Sequence, residues 1–293
     1  RWQAMRDLTD ASPSSIAAER ARVAREGLGA EILGAQGADG AWHRDGDPDW
    51  LPTLFMMQLL RATGVDPADP EVVHAIARLE AGFRWHESLG GKPFVDGETE
   101  PCINGGALAA GSYFGKPSES LARRLLGEQL EDGGWNCDAP QSTRSSFHST
   151  ICVLEGLLEY ERAVGGAPEI AEARRRGEEY LLERSLFRRL STREIASAEF
   201  LVLAYPPRYH YDILRALDYF RAAGARPDPR MREALRIIES RRQSDGRWQL
   251  EHAYDESLSF PFHERAGEPS RWITLRAMRV LRWGKGIGDA TSA

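Results

Sequence analysis

Two cysteines and a histidine stand where chemistry is conceivable: Cys102 in Glu100-Pro101-Cys102, Cys137 in DGGWNCD, and His148 in SSFHSTICVLEGLLEY. Thiolate and imidazole are the borderline-soft ligands that Zn2+ prefers, and a carboxylate can complete such a set. Cys102 and His148 form the leading pair, with Glu100 or Cys137 as the candidate third ligand. Asp138, His210 and Asp212 are outer candidates, as ligands, as groups that orient an imidazole, or as catalytic acids. The long separations match no compact zinc finger, so a catalytic site with an open position is expected rather than a structural knuckle. Cys152, within ICVLEGL, reads as a small buried hydrophobe.

Each of these residues has a plainer reading alone. His148 would bond a backbone group at a helix start, and Asp212 would be a first-turn carboxylate favoured by the helix dipole. Their coincidence becomes informative through the elements that must position them. Three segments share a signature: QGADGAW at 36–42, QLEDGGW at 129–135 and RQSDGRW at 242–248. Each follows a helical stretch (AAERARVAREGLGAEILGA, ESLARRLLGE, MREALRIIES) and precedes a polar loop and a second apolar helix. Asp-Gly suits a turn that ends a helix, because Gly takes positive φ and Asp bonds the local backbone. The Trp would pack that turn against its neighbour.

Two degenerate copies, EVVHAIARLEAGFRW and RRRGEEYLLERSLFRR with their following apolar segments, bring the total to about five or six helix pairs. Strand signals are scarce, so an all-α chain is expected. Paired helices stack as a solenoid or close into a ring. The apolar face of RWITLRAMRVLRW favours closure, giving an (α/α) toroid over residues 1–293 as one domain. At the start of the second helix of each pair stand Asp49-Trp50, Glu100-Pro101-Cys102, Phe147-His148, His210-Tyr211-Asp212 and Arg271-Trp272. In a ring these starts converge on one mouth of a central cavity. Trp50, Trp85, Tyr113, Phe147, Tyr211 and Trp272, with Arg271, are the candidate substrate-binding residues. An aromatic lining suits a hydrocarbon, by burial and by cation–π contact with an allylic cation; core filling is the plainer alternative.

The repeats resemble the Gln-and-Trp motifs of squalene–hopene cyclases and of protein prenyltransferase β subunits, families built as (α/α) toroids. EQLEDGGWNCDAPQSTRSSFHSTICVLEGL is similar to the prenyltransferase segment in which a Gly-Gly turn and a Pro loop lead to Tyr-His-Thr. The resemblance implies that His148 binds catalytic zinc. It also implies that Glu100-Pro101-Cys102 stands for that family's Asp-x-Cys ligand pair. The Asp-x-Asp-Asp motif of squalene cyclases does not occur in this chain, and Cys137 has no counterpart role among the prenyltransferases.

Composition bounds the rest. Of 293 residues 42% are apolar, enough for a sizeable core, and the formal net charge of −6 with scattered basic residues argues against nucleic acid. No apolar run reaches membrane-spanning length. Three cysteines in so long a chain make no disulfide framework, so a reducing, cytoplasmic setting is expected. The chain starts at Arg1 rather than Met, which leaves a trimmed leader open. The expected function is a zinc-dependent transferase or cyclase-like enzyme acting on an apolar, isoprenoid-like small molecule, with any partner subunit unidentified. The alternatives are a metal-free terpenoid cyclase-like enzyme that uses a cavity carboxylic acid, and a binding protein for an apolar ligand or peptide.

Overall fold

The Asp-Gly-Trp turns are the joints of the structure. In a computed structural model, which describes residues 1–287, each Trp of the signature is tied in the same way. The indole N–H groups of Trp42, Trp135 and Trp248 donate to the carbonyls of Ile32, Leu125 and Ile238, each at 2.7 Å. Their backbone N–H groups donate to Thr53, Thr150 and Thr274 Oγ1 at 3.0, 3.1 and 3.0 Å. One residue thus clamps the end of one helix to the first turn of the next. The signature glutamines add a second tie in two copies. Gln36 Nε2 donates to Gly40 O and Ala75 O, and Gln129 Nε2 to Gly133 O and Ala173 O. Gln243, in the third copy, donates to Arg241 O instead.

Among the described residues twelve α-helices occur and pairing between extended segments is limited to isolated bridges, as the scarcity of strand signals predicts. The helices are α1 (Trp2–Leu8), α2 (Pro13–Ala21), α3 (Gly27–Gly34), α4 (Trp50–Thr63), α5 (Pro70–Gly82) and α6 (Pro101–Tyr113). There follow α7 (Glu119–Gly127), α8 (Phe147–Val164), α9 (Pro168–Glu183), α10 (Ile213–Ala222), α11 (Arg232–Ser240) and α12 (Arg271–Gly284). Local chemistry sets their starts: Asp69 and Ser118 accept N–H groups of α5 and α7, and Pro70 and Pro101 open α5 and α6. One sequence expectation is corrected. AAERARVAREGLGAEILGA is two helices, not one, because the chain turns after α2 and enters α3 at Gly27, whose φ is +61°. None of the helices of the described residues is long and apolar enough to cross a membrane.

The chain falls into two compact units: Arg1–Arg176 with Asp255–Pro261, and Gly177–Tyr254 with the described residues from Phe262 onward. In the first, α6 packs between α4 and α8, and every residue from Pro101 to Ser112 is buried. Helices α6 and α8 touch backbone to backbone. A Cβ on Gly105 would lie 2.4 Å from Cys152 O, and one on Gly156 2.5 Å from Gly105 O. In the second unit, α10, α11 and α12 pack on one another. Buried Asp218 of α10 receives Arg221 Nε at 2.9 Å and Arg279 Nε at 2.8 Å, with Arg276 Nε 3.5 Å away. Burial alone would raise this carboxyl, but the guanidinium groups of Arg279, Arg276 and Arg221 hold it well below the usual carboxylate range.

The α6–α8 contact yields a stability test. Gly105→Ala is expected to cost about 1–3 kcal/mol in urea denaturation, because the obstacle is backbone that cannot rotate away. Gly127→Ala, at a helical position with nothing within 4 Å of the new Cβ, is expected to be neutral or mildly stabilising. Equal effects of the two substitutions would contradict the close-contact assignment.

Candidate metal centre

Glu100 is the N-cap residue of α6, Pro101 opens the helix, and Cys102 follows in its first turn. The segment before the helix is pinned from both sides. Buried Glu98 accepts the Glu100 N–H through its carboxylate at 2.7 Å, and its own N–H donates to Asn104 Oδ1 at 2.7 Å. Arg124 of α7 donates to Glu98 O and, at 2.9 Å, to Thr99 O. Cys137 comes from the turn after Trp135. Asn136 holds that turn by donating to Arg144 O at 2.7 Å and accepting Asp138 N–H at 3.0 Å. Cys137 N–H then donates to Ser149 Oγ on α8 at 3.2 Å, and the same hydroxyl lies 3.2 Å from Cys137 Sγ.

These supports bring Glu100, Cys102 and Cys137 together, with one donor atom from each lying within 4.8 Å of the others. The Cys102 Sγ–Glu100 Oε2 separation is 3.6 Å. A tetrahedral ion with usual Zn–S and Zn–O bonds sets its sulfur and oxygen ligands about 3.6 Å apart and two sulfurs about 3.8 Å apart. The group could therefore hold a metal ion with small adjustments. Glu100 is exposed, Cys137 half-buried and Cys102 buried, so the group opens to solvent at its carboxylate.

The two thiols differ in acidity. Cys102 shares a hydrogen bond with Cys137 and is pushed well up, first by that bond and then by burial and the neighbouring Cys152, Cys137 and Glu100. Cys137 is pulled down. The bond from Cys102 is the largest cause; Ser149 and the Cys102 backbone N–H add to it, while burial and Glu100 oppose it. Cys137 is thus the thiolate-forming member, facing the start of α6.

His148 is the second residue of α8, the place Cys102 holds in α6, and is half-buried beside Ser149. Its ring lies outside the group of mutually close donors formed by Glu100, Cys102 and Cys137. Asp138 is exposed in the loop after Cys137. His210 and Asp212 belong to the second unit. His210 stacks between Tyr209 at 4.1 Å and Tyr254 at 3.6 Å. Asp212 caps α10, accepting Arg215 N–H at 2.7 Å, and burial raises its carboxyl despite the opposing Arg276 charge and Arg215 N–H.

The aromatic candidates have individual structural tasks. Trp85 is buried against Phe94 and meets half-buried Trp50 at 6.0 Å; Phe147 is buried at the first position of α8. Tyr113 donates to Val65 O at 2.7 Å. Tyr211 is buried and donates to Leu186 O, and Trp272 stacks on Tyr205 at 5.0 Å. Arg271 is exposed and paired with Glu264 at 3.1 Å. A cavity of about 290 Å³ lies toward the other end of α6, among Met57, Ile76, Leu79, Phe94, Val95 and Phe114, and the substrate candidates do not line it.

Residue types alone do not reveal Ser149, Glu98, Asn104 and Arg124 as supports. The adjacency of Ser149 to His148 was the one available signal for the first, and the alternation Glu98-Thr99-Glu100 for the second. Comparison with known families and with curated proteins finds no matching family model and no matching protein.

In reduced, metal-free protein, Cys137 is expected to be the first thiol alkylated by iodoacetamide at neutral pH. Ser149→Ala is expected to move its reactivity to higher pH, because the removed bond favours the thiolate. Peptide mass mapping gives the order, and Cys102 or Cys152 reacting before Cys137 would contradict the assignment.

Proposed function

We propose that the chain is a zinc-dependent transferase or cyclase-like enzyme of the (α/α) toroid class, acting on an apolar, isoprenoid-like substrate. The observation that carries this reading is the convergence of Glu100, Cys102 and Cys137 on one small volume. Soft thiolates favour zinc over magnesium or calcium, which take oxygen ligands, and the exposed side of the group leaves an approach for a further ligand. Bound Zn2+ would supply Lewis acidity that lowers the pKa of a nucleophile.

The reading assigns the rest of the work to the chain's own groups. The Cys102 side chain, Ser149 and the Cys102 backbone N–H favour ionisation of Cys137, and Glu98 fixes the backbone that presents Glu100. Two thiolates and a carboxylate carry three negative charges against the cation's two. Such a centre favours activation of an incoming thiol over generation of hydroxide from water. His148 remains a donor candidate because it matches Cys102 in helix position. Closure of the helix pairs into a ring would supply the apolar enclosure; the repeated Trp–Thr clamps support it by giving the three pairs that carry the signature the same internal geometry.

The test is a thiol–prenyl transfer assay, in which a thiol S–H and a prenyl diphosphate give a thioether, diphosphate and a proton. Zinc-loaded protein with a panel of small and peptide thiols is expected to form thioether, to stop with chelator, and to lose activity in Cys102→Ala. Absence of product across thiols and chain lengths, with zinc bound, counts against transfer. Cyclised hydrocarbon formed equally well with chelator would favour the metal-free cyclase reading.

A further inference from the structure

Two thiols within reach of each other, one buried and one half-buried, are more than a pair of ligands. The Cys102 and Cys137 sulfurs lie within 4.8 Å of each other. Cys137 sits outside regular helix, in a turn held by side-chain bonds, whereas Cys102 is fixed in the first turn of α6. The turn can therefore yield while the helix does not. Bonding needs the sulfurs to close to about 2.05 Å, a shift on the scale of a side-chain rotation with a small backbone adjustment. The third thiol differs: Cys152 is 2% exposed, in the middle of α8.

We propose that Cys102 and Cys137 are a reversible dithiol–disulfide pair whose oxidation dismantles the metal centre. The bond itself needs only the two thiols; its consequence for metal rests on the reading given under Proposed function. A peroxide is the oxidant. Cys137 sulfur attacks one peroxide oxygen, the O–O bond breaks, and Cys137 becomes a sulfenic acid with release of water. Cys102 sulfur then attacks the Cys137 sulfur, the S–O bond breaks, the thiol proton leaves with the hydroxyl as water, and the S–S bond forms. In sum two thiols and hydrogen peroxide give one disulfide and two waters. A dithiol reductant reverses it by exchange. The disulfide uses both sulfurs that a metal would need as thiolates, so the oxidised and metal-bound states exclude each other. Glu100 alone is then left of the group, a single exposed carboxylate with little affinity for zinc.

The experiment uses the full chain, reduced and freed of metal by chelation, then treated with a slight excess of hydrogen peroxide. Intact mass is expected to fall by two hydrogens, with Cys102 and Cys137 in one cross-linked peptide, and dithiothreitol is expected to restore it. Cys102→Ser and Cys137→Ser should each abolish the change, and Cys152→Ser should keep it. Zinc added first should slow the cross-link at least tenfold, and the oxidised chain should take up no zinc. Oxygen adducts at Cys137 without a cross-link, or a cross-link through Cys152, would overturn the pair. A cross-linked chain that still binds zinc in full would overturn the exclusion. The two readings fail separately: zinc uptake with no cross-link leaves the metal centre standing, and a reversible cross-link in a chain that never binds zinc leaves only the redox pair.

Discussion

Helices α6 and α8 meet where neither carries a side chain at the crossing. The Gly105 and Gly156 backbones approach so closely that a methyl group on either would collide with a carbonyl. This contact sets the first unit's geometry. It lets α6 lie fully buried between α4 and α8, and it fixes the beginning of α6 beside the beginning of α8. The group formed by Glu100, Cys102 and Cys137 depends on that juxtaposition. Cys102 rides on the first turn of α6, and Ser149, which holds Cys137, rides on the first turn of α8. The residues that make the contact have no chemistry of their own, yet a shift between the helices would separate the donors.

The second constraint is the clamp repeated at Trp42, Trp135 and Trp248. The Trp indole N–H donates to a carbonyl of the preceding helix and the Trp backbone N–H to a threonine hydroxyl of the following helix, which fixes the turn up to the Trp. In the middle copy the residues just after the Trp are Asn136 and Cys137. The clamp thus delivers a thiol to a defined place at the start of α8, where the other copies continue without a cysteine. A structural repeat has been adapted at one position to carry a reactive group. The acidity difference between the two thiols follows from the same placement, since the turn brings Cys137 to the Cys102 side chain, to Ser149 and to the Cys102 backbone N–H.

Much of this was legible in the sequence, for physical reasons that differ by residue. The Asp-Gly-Trp spacing announces the turns because the positive φ of the Gly and the two bonds of the Trp recur in every copy. The scarcity of β-branched alternation announces an all-helical chain. Glu100, Cys102 and Cys137 were nameable from donor chemistry and repeat position. His148 was named on the same grounds, but the helix start that places it also turns Ser149 toward Cys137, and donor type alone does not decide which neighbour faces the group. Asp212 looked like a reactive acid or a first-turn carboxylate, and its bond to Arg215 N–H places it one step earlier, as the N-cap of α10. The break at Gly27 was hidden because an apolar pattern runs on across it. Glu98, Asn104 and Arg124 were invisible, since their role is to bond backbone atoms whose positions only the folded chain defines.

The α6 start and the clamped turn bring two thiols and a carboxylate into one group that could hold a metal ion, and zinc is the ion we propose for it. The most direct test of that proposal is zinc stoichiometry by inductively coupled plasma mass spectrometry, on reduced wild type, Cys137→Ser and Cys152→Ser purified with zinc present. The expected result is one tightly held zinc per chain in wild type and Cys152→Ser, and its loss in Cys137→Ser with helical content unchanged. Full zinc in Cys137→Ser, or none in folded wild type, would contradict the account.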